Sequence, residues 1–198
     1  RVSGYYTKFM DQSKVISYYD DVESTFSNFA MSGIDKQHFG LEVAASIPLY
    51  AGLALNGAIS WGQFTYDSNP DYVQIQDNSG EIKNEGKVYW KNFRVESTPQ
   101  TAMNIGLSYR SRNNIYASVD MNYYNNMYLS MSPLYRTDAV LSRNMSAEDI
   151  RELRHQEKFN SACVFNASVG KNWYINRAYT LGFSLEVKNL LNNQNIKT

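Results

Sequence analysis

Residues Phe39 to Asp67 read FGLEVAASIPLYAGLALNGAISWGQFTYD, and this stretch decides the fold. On both sides of Tyr50–Ala51–Gly52, apolar side chains recur at nearly every second position, with small or polar side chains between them. A period of two predicts two β-strands with chemically different faces. The polar face carries one carboxylate, Glu42. A soluble sandwich buries the apolar face against a second sheet, whereas a membrane barrel turns it towards lipid.

The same alternation recurs along the chain and predicts an all-β, antiparallel up-and-down meander of about seven long strands. Turns near residues 50, 112 and 176 are short, whereas the connections over 11–23, 67–87, 130–158 and after 189 are long and polar. Outer-membrane barrels sort their connections in this way, with short turns on one side and long loops on the other. The predicted strands cover about 1–10, 24–49, 53–67, 88–110, 115–129, 159–174 and 178–189.

Two local signals refine this pattern. Asp11–Gln12–Ser13 predicts a turn, so that 14–20 becomes a second short β-segment, the arm of a hairpin. In the connection over 130–158, Ser146 is a good N-cap and acidic residues follow it, which predicts one short helix over Ala147–Gln156.

Composition excludes several classes of protein. The net charge is +0, so the chain lacks the basic footprint of a nucleic-acid-binding protein. The longest apolar run, 43–55, is too short for a membrane-spanning helix. The single Cys163 leaves no internal disulfide to form. No signal peptide is evident, because the first residues already read as strand; we therefore expect the sequence to start inside a longer protein.

We expect no catalytic residues, no metal and no cofactor. His38 and His155 are far apart in sequence, and neither has a metal-ligating neighbour at a useful spacing. Asp67–x–Asn69–x–Asp71 imitates the start of a calcium loop, but Tyr72 and Asn78 stand where the loop needs Gly and Glu.

Four segments, in order, resemble the C-terminal barrel region of TonB-dependent outer-membrane receptors. They are Gly4–Phe9 (GYYTKF), Asn28–Glu42 (NFAMSGIDKQHFGLE), Ser97–Tyr109 (STPQTAMNIGLSY) and Leu185–Asn192 (LEVKNLLN). The Asn-rich composition is similar to that of receptors from the Bacteroidota. The resemblance covers most of the chain, and its strength lies in the ordered set of segments.

The resemblance implies a 22-stranded transmembrane β-barrel with an N-terminal plug and a TonB box, in the Gram-negative outer membrane. Residues 1–198 would then be a single region of that barrel, lacking the plug and the last strand. The implied function is binding and active import of a nutrient such as a glycan, a siderophore or a peptide-like molecule, without enzymatic activity. The implied partners are outer-membrane lipid, the imported substrate, the TonB complex through the plug, and a surface lipoprotein.

Charged residues on the polar faces of the predicted strands are the first set of candidate site residues: Glu42, Asp120, Glu186 and Lys188. A cation that faces lipid at mid-membrane costs about 2–4 kcal/mol, so we expect these side chains to face a lumen. There they either contact the plug or the substrate, or form part of a generic hydrated wall.

Aromatic and cationic residues in the long connections are the second set: Tyr72, Tyr89, Trp90, Tyr128, Tyr135 and Arg136, with Tyr18 and Tyr19 nearby. Such side chains suit a sugar or a peptide-like ligand. They equally suit cross-strand pairs that stiffen long hairpins. The alternative to a receptor is a soluble or cell-surface β-sandwich that binds glycans through these aromatics.

Overall fold

The computed structural model describes residues 1–21, 24–143, 145–176 and 178–195. Its nine strands form one antiparallel sheet, and the prediction of an all-β, up-and-down architecture is confirmed. The strands are β1 (Val2–Asp20), β2 (Thr25–Pro48), β3 (Leu53–Tyr66), β4 (Asp71–Gln76), β5 (Ile82–Lys87), β6 (Thr101–Arg110), β7 (Ile115–Asn125), β8 (Ala162–Ile175) and β9 (Tyr179–Val187).

Seven of these strands form a simple meander in the order β1-β2-β3-β6-β7-β8-β9. The remaining two, β4 and β5, form a hairpin that turns aside. β4 pairs with Ser27–Ser32 of β2, beyond the point where the pairing of β3 with β2 ends. β6 then pairs with Leu53–Trp61 of β3. Within the described chain β1 and β9 lie at opposite ends of the meander, and the sheet does not close on itself.

Most connections are sorted by length, as the sequence predicts. The long connection predicted over 11–23 is wrong, because β1 runs to Asp20 and β2 begins at Thr25. The tight 3₁₀ turn Tyr50–Gly52 and the turn at 111–114 lie at one end of the sheet, which we call the turn end. The long connections 67–100 and 126–161 lie at the opposite end, which we call the loop end. Gly52 is required at its turn because its φ is +84° and a Cβ there would collide with the carbonyl oxygen of Arg110.

The predicted turn at Asp11–Gln12–Ser13 is wrong, because β1 continues through it for 19 residues. Asp11 adopts a positive φ of 54°, which Asp tolerates better than most residues, and its N–H donates to the carboxylate of Asp35 at 3.0 Å. The result is a β-bulge, after which pairing with β2 resumes and runs to Asp20. The long bulged strand predicted over 24–49 is confirmed as β2.

The predicted polar loop over 67–87 is also wrong, since it contains β4 and β5. Its polar side chains hide a short hairpin that completes the free edge of β2. The predicted start of a strand at Val88 is likewise wrong. Residues 88–95 form only isolated bridges, such as Thr65 with Arg94, and run irregularly along the edge of β3. Nine strands therefore replace the predicted seven.

Helix α2 (Ala147–Arg154) confirms the predicted helix to within two residues. Its capping box is complete: the Ser146 hydroxyl accepts from the Asp149 N–H at 3.1 Å, and the Asp149 carboxylate accepts from the Ser146 N–H at 3.0 Å. The sequence misses a 3₁₀ turn, Pro133–Arg136, and a four-residue helix, α1 (Asp138–Leu141), in the same connection.

We expect Ser146→Ala to raise amide exchange in α2 by roughly fivefold, as loss of an N-cap does. The hydrogen bonds from Ser146 also hold the pKa of Asp149 below its usual range. The cap is therefore fully present above the ordinary Asp pKa and is lost as pH falls through the lowered one. Hydrogen exchange at neutral and acid pH checks both effects. A Ser142→Ala variant, outside the capping box, is the control and leaves α2 unchanged.

The two faces of the meander differ sharply. Residues opposite each other on neighbouring strands point to the same face, so the pairing assigns every side chain to one of them. The inner face carries Glu42 and is small or polar. The outer face is apolar and exposed, with Leu181 60% accessible. Exposed outer-face residues on the neighbouring strands from β2 to β9 are Leu41, Ile47, Leu55, Ile59, Trp61, Ile105, Leu107, Val119, Val169, Leu181, Phe183 and Leu185.

The hydrophobic core lies on the inner face, at the loop end of the sheet. Its buried members are Phe29, Met31, Ile34, Phe64, Tyr66, Tyr72, Val88, Trp90 and Val95. They come from β2, β3, β4 and the segment 88–95, which folds back over the ends of the strands. The core therefore stabilises the loop end. It also holds the segment 88–95 in place over the ends of the strands.

A bulge at Gly33 (φ +72°) explains how one face is polar towards the turn end and apolar towards the loop end. Before it, odd-numbered residues such as Phe29 point inward, whereas after it even-numbered residues such as Glu42 do. Ser68 fixes the bulge: its hydroxyl donates to the Gly33 carbonyl at 2.6 Å and accepts from the Asp35 N–H at 2.8 Å.

Candidate ligand-binding site

The inner face carries the first set of predicted site residues, and the structure spreads them along the sheet. Glu42 on β2 is exposed and lies opposite Ser60. Asp120 lies on β7, separated from β2 by β3 and β6. Glu186 on β9 is exposed and forms an ion pair with Lys188 at 3.6 Å. The four residues therefore do not converge on one site.

Asp120 is the centre of a hydrogen-bonded polar ladder. Its Oδ2 accepts from the side-chain amides of Asn122 and Asn166, both at 2.8 Å. Asn122 in turn accepts from Asn104 at 2.9 Å, which extends the ladder to β6. Side chains from three neighbouring strands are thus hydrogen-bonded to one another. Asp120 has a structural role in the sheet, whether or not a ligand contacts the inner face.

A cleft of about 910 Å³ opens among the loop-end connections. Three segments form it: 89–94 after β5, the region from Tyr128 to Leu141, and the apolar side of α2. We call it the loop-end cleft. Its volume falls within the range of small-molecule sites, roughly 300–1,000 Å³.

Asn69 and the edge of β3 hold the segment 89–94 in place. The Asn69 Oδ1 accepts from the backbone N–H groups of Trp90 at 3.1 Å and Lys91 at 2.9 Å. Tyr66 and Phe93 pair through a backbone hydrogen bond of 2.9 Å. The wall is thus fixed by main-chain contacts, which leaves the Lys91 side chain free to face the cleft.

Gln156 and Arg136 fix the opposite wall. Gln156 bonds both backbone groups of Arg94, accepting from its N–H at 2.9 Å and donating to its carbonyl at 2.8 Å. Arg136 donates to the carbonyls of Leu153 at 3.1 Å and Ser132 at 2.9 Å. These bonds join α2 to the other two segments, so the cleft is a built site and not a gap between independent loops.

Four cations line the cleft: Lys91, Arg94, Arg136 and Arg154. Arg136 lies over the ring of Phe93 at 5.6 Å, and its partial burial lowers its pKa from the usual Arg value. Lys91 and Arg154 are exposed. The apolar lining consists of Tyr89, Phe93, Tyr128, Leu141, Ile150 and Leu153.

The loop-end cleft brings together three of the predicted loop residues, Tyr89, Tyr128 and Arg136. Tyr135 is exposed and lies at a separate hollow near Tyr18 and Tyr19.

Two other predicted loop residues take a structural place. Tyr72 and Trp90 are each only 2% exposed, and Tyr72 stacks on Phe29 with ring centroids 4.6 Å apart. Their large apolar rings pack in the core, and Tyr72 also lines the hollow beside Tyr18.

Sequence reasoning misses the other polar residues of the lining, which are Asn69, Lys91, Asn92, Arg94, Arg154 and Gln156. The available signal was positive charge, because both 87–94 and 151–154 contain more than one Lys or Arg. Linear spacing did not reveal that the fold places the two segments on opposite walls of one cleft.

Comparison with protein-family models, curated proteins and solved structures finds no match to this chain.

The acidic residues of the calcium-like stretch are occupied by lysines. Asp67 binds Lys8 at 2.9 Å, which lowers the pKa of its carboxyl, and Asp71 binds Lys87 at 2.7 Å. Across the described ranges, no three His, Cys, Asp or Glu side chains come together as a metal site. None of the helices in those ranges is long and apolar enough to cross a membrane.

Proposed function

We propose that this chain is part of the barrel of an outer-membrane TonB-dependent receptor, which binds a nutrient at its loop end and imports it. The observation that carries the proposal is the exposed apolar outer face, continuous across the meander, opposite a hydrated inner face. Transmembrane barrels have this arrangement, with lipid outside and polar residues inside. In this proposal the turn end is periplasmic and the loop-end cleft faces the exterior.

The two ends of the meander require, within this proposal, that the chain belong to a larger barrel. β1 and β9 each pair on one side only in the described sheet. Unpaired backbone groups in hydrocarbon cost several kcal/mol each, so spanning sheets are closed. The proposal therefore requires further strands beside β1 and β9, as a 22-stranded barrel provides. The import energy would come from the TonB complex through a plug domain.

The competing proposal is a soluble or cell-surface β-sandwich that binds glycans. A sandwich needs a second sheet to cover the apolar face. All nine described strands belong to one sheet, and the core lies on the inner face. The apolar outer face thus has no second sheet over it within the described chain. This supports the membrane proposal, in which lipid covers that face.

Site-directed spin labels test which face is wet. We expect labels at Leu41, Val119 and Leu181 to show lipid-like accessibility to oxygen in reconstituted vesicles. Labels at Asp120 and Glu186, on the inner face, should show accessibility to a water-soluble reagent. If the outer-face labels are instead accessible to the water-soluble reagent, or buried against protein, the receptor proposal is wrong.

A further inference from the structure

We propose that the loop-end cleft binds an oligosaccharide that carries carboxylate groups, such as a chain of uronic acids. This inference rests on the proposed receptor function and names the ligand class for it. The observation is one cleft that combines four cations with an apolar lining.

Charge selects an anion. Lys91 and Arg154 are exposed, and their side chains form no ion pair or hydrogen bond with other described residues. Among the described residues that line the cleft, none is Asp or Glu. The carboxylate that acts on Lys91 through space is Asp67, and Lys8 already binds it at 2.9 Å. Positive charge in the cleft is thus left without a partner, and an anionic ligand would supply one.

The position of the cations favours a ligand with more than one charge. Arg136 and Arg94 are half-buried and tied to backbone or amide oxygens, so they give the inner part of the cleft a fixed positive potential. Lys91 and Arg154 lie on different walls of the cleft. Lys91 belongs to the segment 89–94, and Arg154 is the last residue of α2. A chain with repeated carboxylates offers a separate carboxylate to each of these two cations.

The remaining lining favours sugar rings. Tyr89, Phe93 and Tyr128 offer aromatic surfaces that can pack against the C–H faces of pyranose rings. The amide side chains of Asn69 and Asn92 also line the cleft and can bond ring hydroxyls. Apolar walls with a few placed polar groups are the usual form of a small-molecule site.

Calorimetry on the full chain in detergent micelles tests the ligand class with two matched probes. They are tetragalacturonic acid and its fully methyl-esterified form, which has the same rings and linkages but no charge. We expect the acid to bind at least about tenfold more tightly, because only its carboxylates pair with Lys and Arg. Added salt should weaken binding of the acid and leave binding of the ester unchanged.

Substitution of the two exposed cations, Lys91 and Arg154, tests whether their charges bind the acid. We expect Lys91→Gln and Arg154→Gln each to weaken binding of the acid by at least about threefold, and the double variant by about tenfold or more. Arg151→Gln is the matched control: it is on the same helix, exposed, and outside the cleft, where it pairs with Glu148. It should change affinity by less than about twofold. Circular dichroism confirms that each variant is folded.

Equal binding of acid and ester, or no binding of the acid, overturns the proposal. Tetraglutamate that binds as tightly as the acid overturns the assignment to a sugar. If the acid fails to bind while the spin labels report lipid, only the ligand class is wrong. If the outer-face labels report water, the receptor function fails whatever the calorimetry shows.

Discussion

Replacing Phe29 with alanine is expected to destabilise the loop end by about 3–5 kcal/mol, the usual cost of removing a buried Phe. Phe29 is only 1% exposed and stacks on Tyr72 at an interplanar angle of 14°. The lost ring leaves a cavity in the cluster that also contains Trp90, next to the cleft wall at 89–94. We therefore expect the Phe29→Ala variant to lose stability and also to lose binding of the proposed acidic oligosaccharide in the loop-end cleft.

Phe26→Ala is the matched control for this prediction. Phe26 is on the same strand, but it is 58% exposed on the outer face and contacts Tyr19 edge to face. Its removal should cost less than about 1 kcal/mol. Denaturant unfolding, followed by tryptophan fluorescence, measures both variants. Equal destabilisation of the two would contradict the assignment of the core to the inner face of the loop end.

If the proposed receptor function is right, Val119→Arg is expected to cost about 2–4 kcal/mol when the protein folds into a bilayer. Val119 lies on the outer face of β7, is 51% exposed and sits between Leu107 and Ala167 on the neighbouring strands. In the proposed membrane setting, an Arg there places its charge in hydrocarbon or distorts the bilayer to reach water. The penalty depends on lipid, which makes the variant a test of the environment.

Ser118→Arg is the control on the opposite face. Ser118 is one residue earlier and points inward, where its hydroxyl lies 2.8 Å from that of Ser168. Loss of that bond costs only about 1 kcal/mol, and the new charge faces water. Urea titration in lipid vesicles compares the two variants. The membrane assignment would be refuted by a Val119→Arg variant that folds into vesicles as readily as the wild type.

Strict alternation was enough to predict most of the sheet. The turn-end halves of β2, β3, β6, β7, β8 and β9 follow the two-residue period without interruption, so sequence predicts both their extent and their faces. Prediction failed where pairing outweighed local signals. Asp11 looks like a turn residue, but a bulge absorbs it because β2 offers a continuous partner.

The hairpin β4–β5 was missed for a related reason. Its strands are only six residues each, and β5 is mostly polar, so they carry little periodic signal. They form because β2 extends past the end of β3 and leaves an edge to be paired. That edge is a property of the assembled sheet, and no local pattern near Tyr72 reports it.

The candidate site was partly predictable. Residue type alone suggested aromatics in long connections, and Tyr89, Tyr128 and Arg136 do line the cleft. Residue type could not separate them from Tyr72 and Trp90, which the core buries. The distinction depends on which way the backbone at 88–95 folds over the strand ends, and long-range hydrogen bonds to Asn69 and β3 decide that.

The paired bulges at Asp11 and Gly33 separate the loop-end part of the β1–β2 pair from its turn-end part. Odd-numbered residues of β2 point inward in the first part, and even-numbered residues do so in the second. Deleting Gly33 would rotate Phe29 and Met31 to the outer face, while every residue from Glu42 to Pro48 would keep its orientation. We therefore expect a change of length at Gly33 to alter the face that the loop-end residues of β2 occupy, and to leave the turn-end strands as they are. In the proposed receptor, this arrangement would keep the ligand-binding loops apart from the strands that face the bilayer.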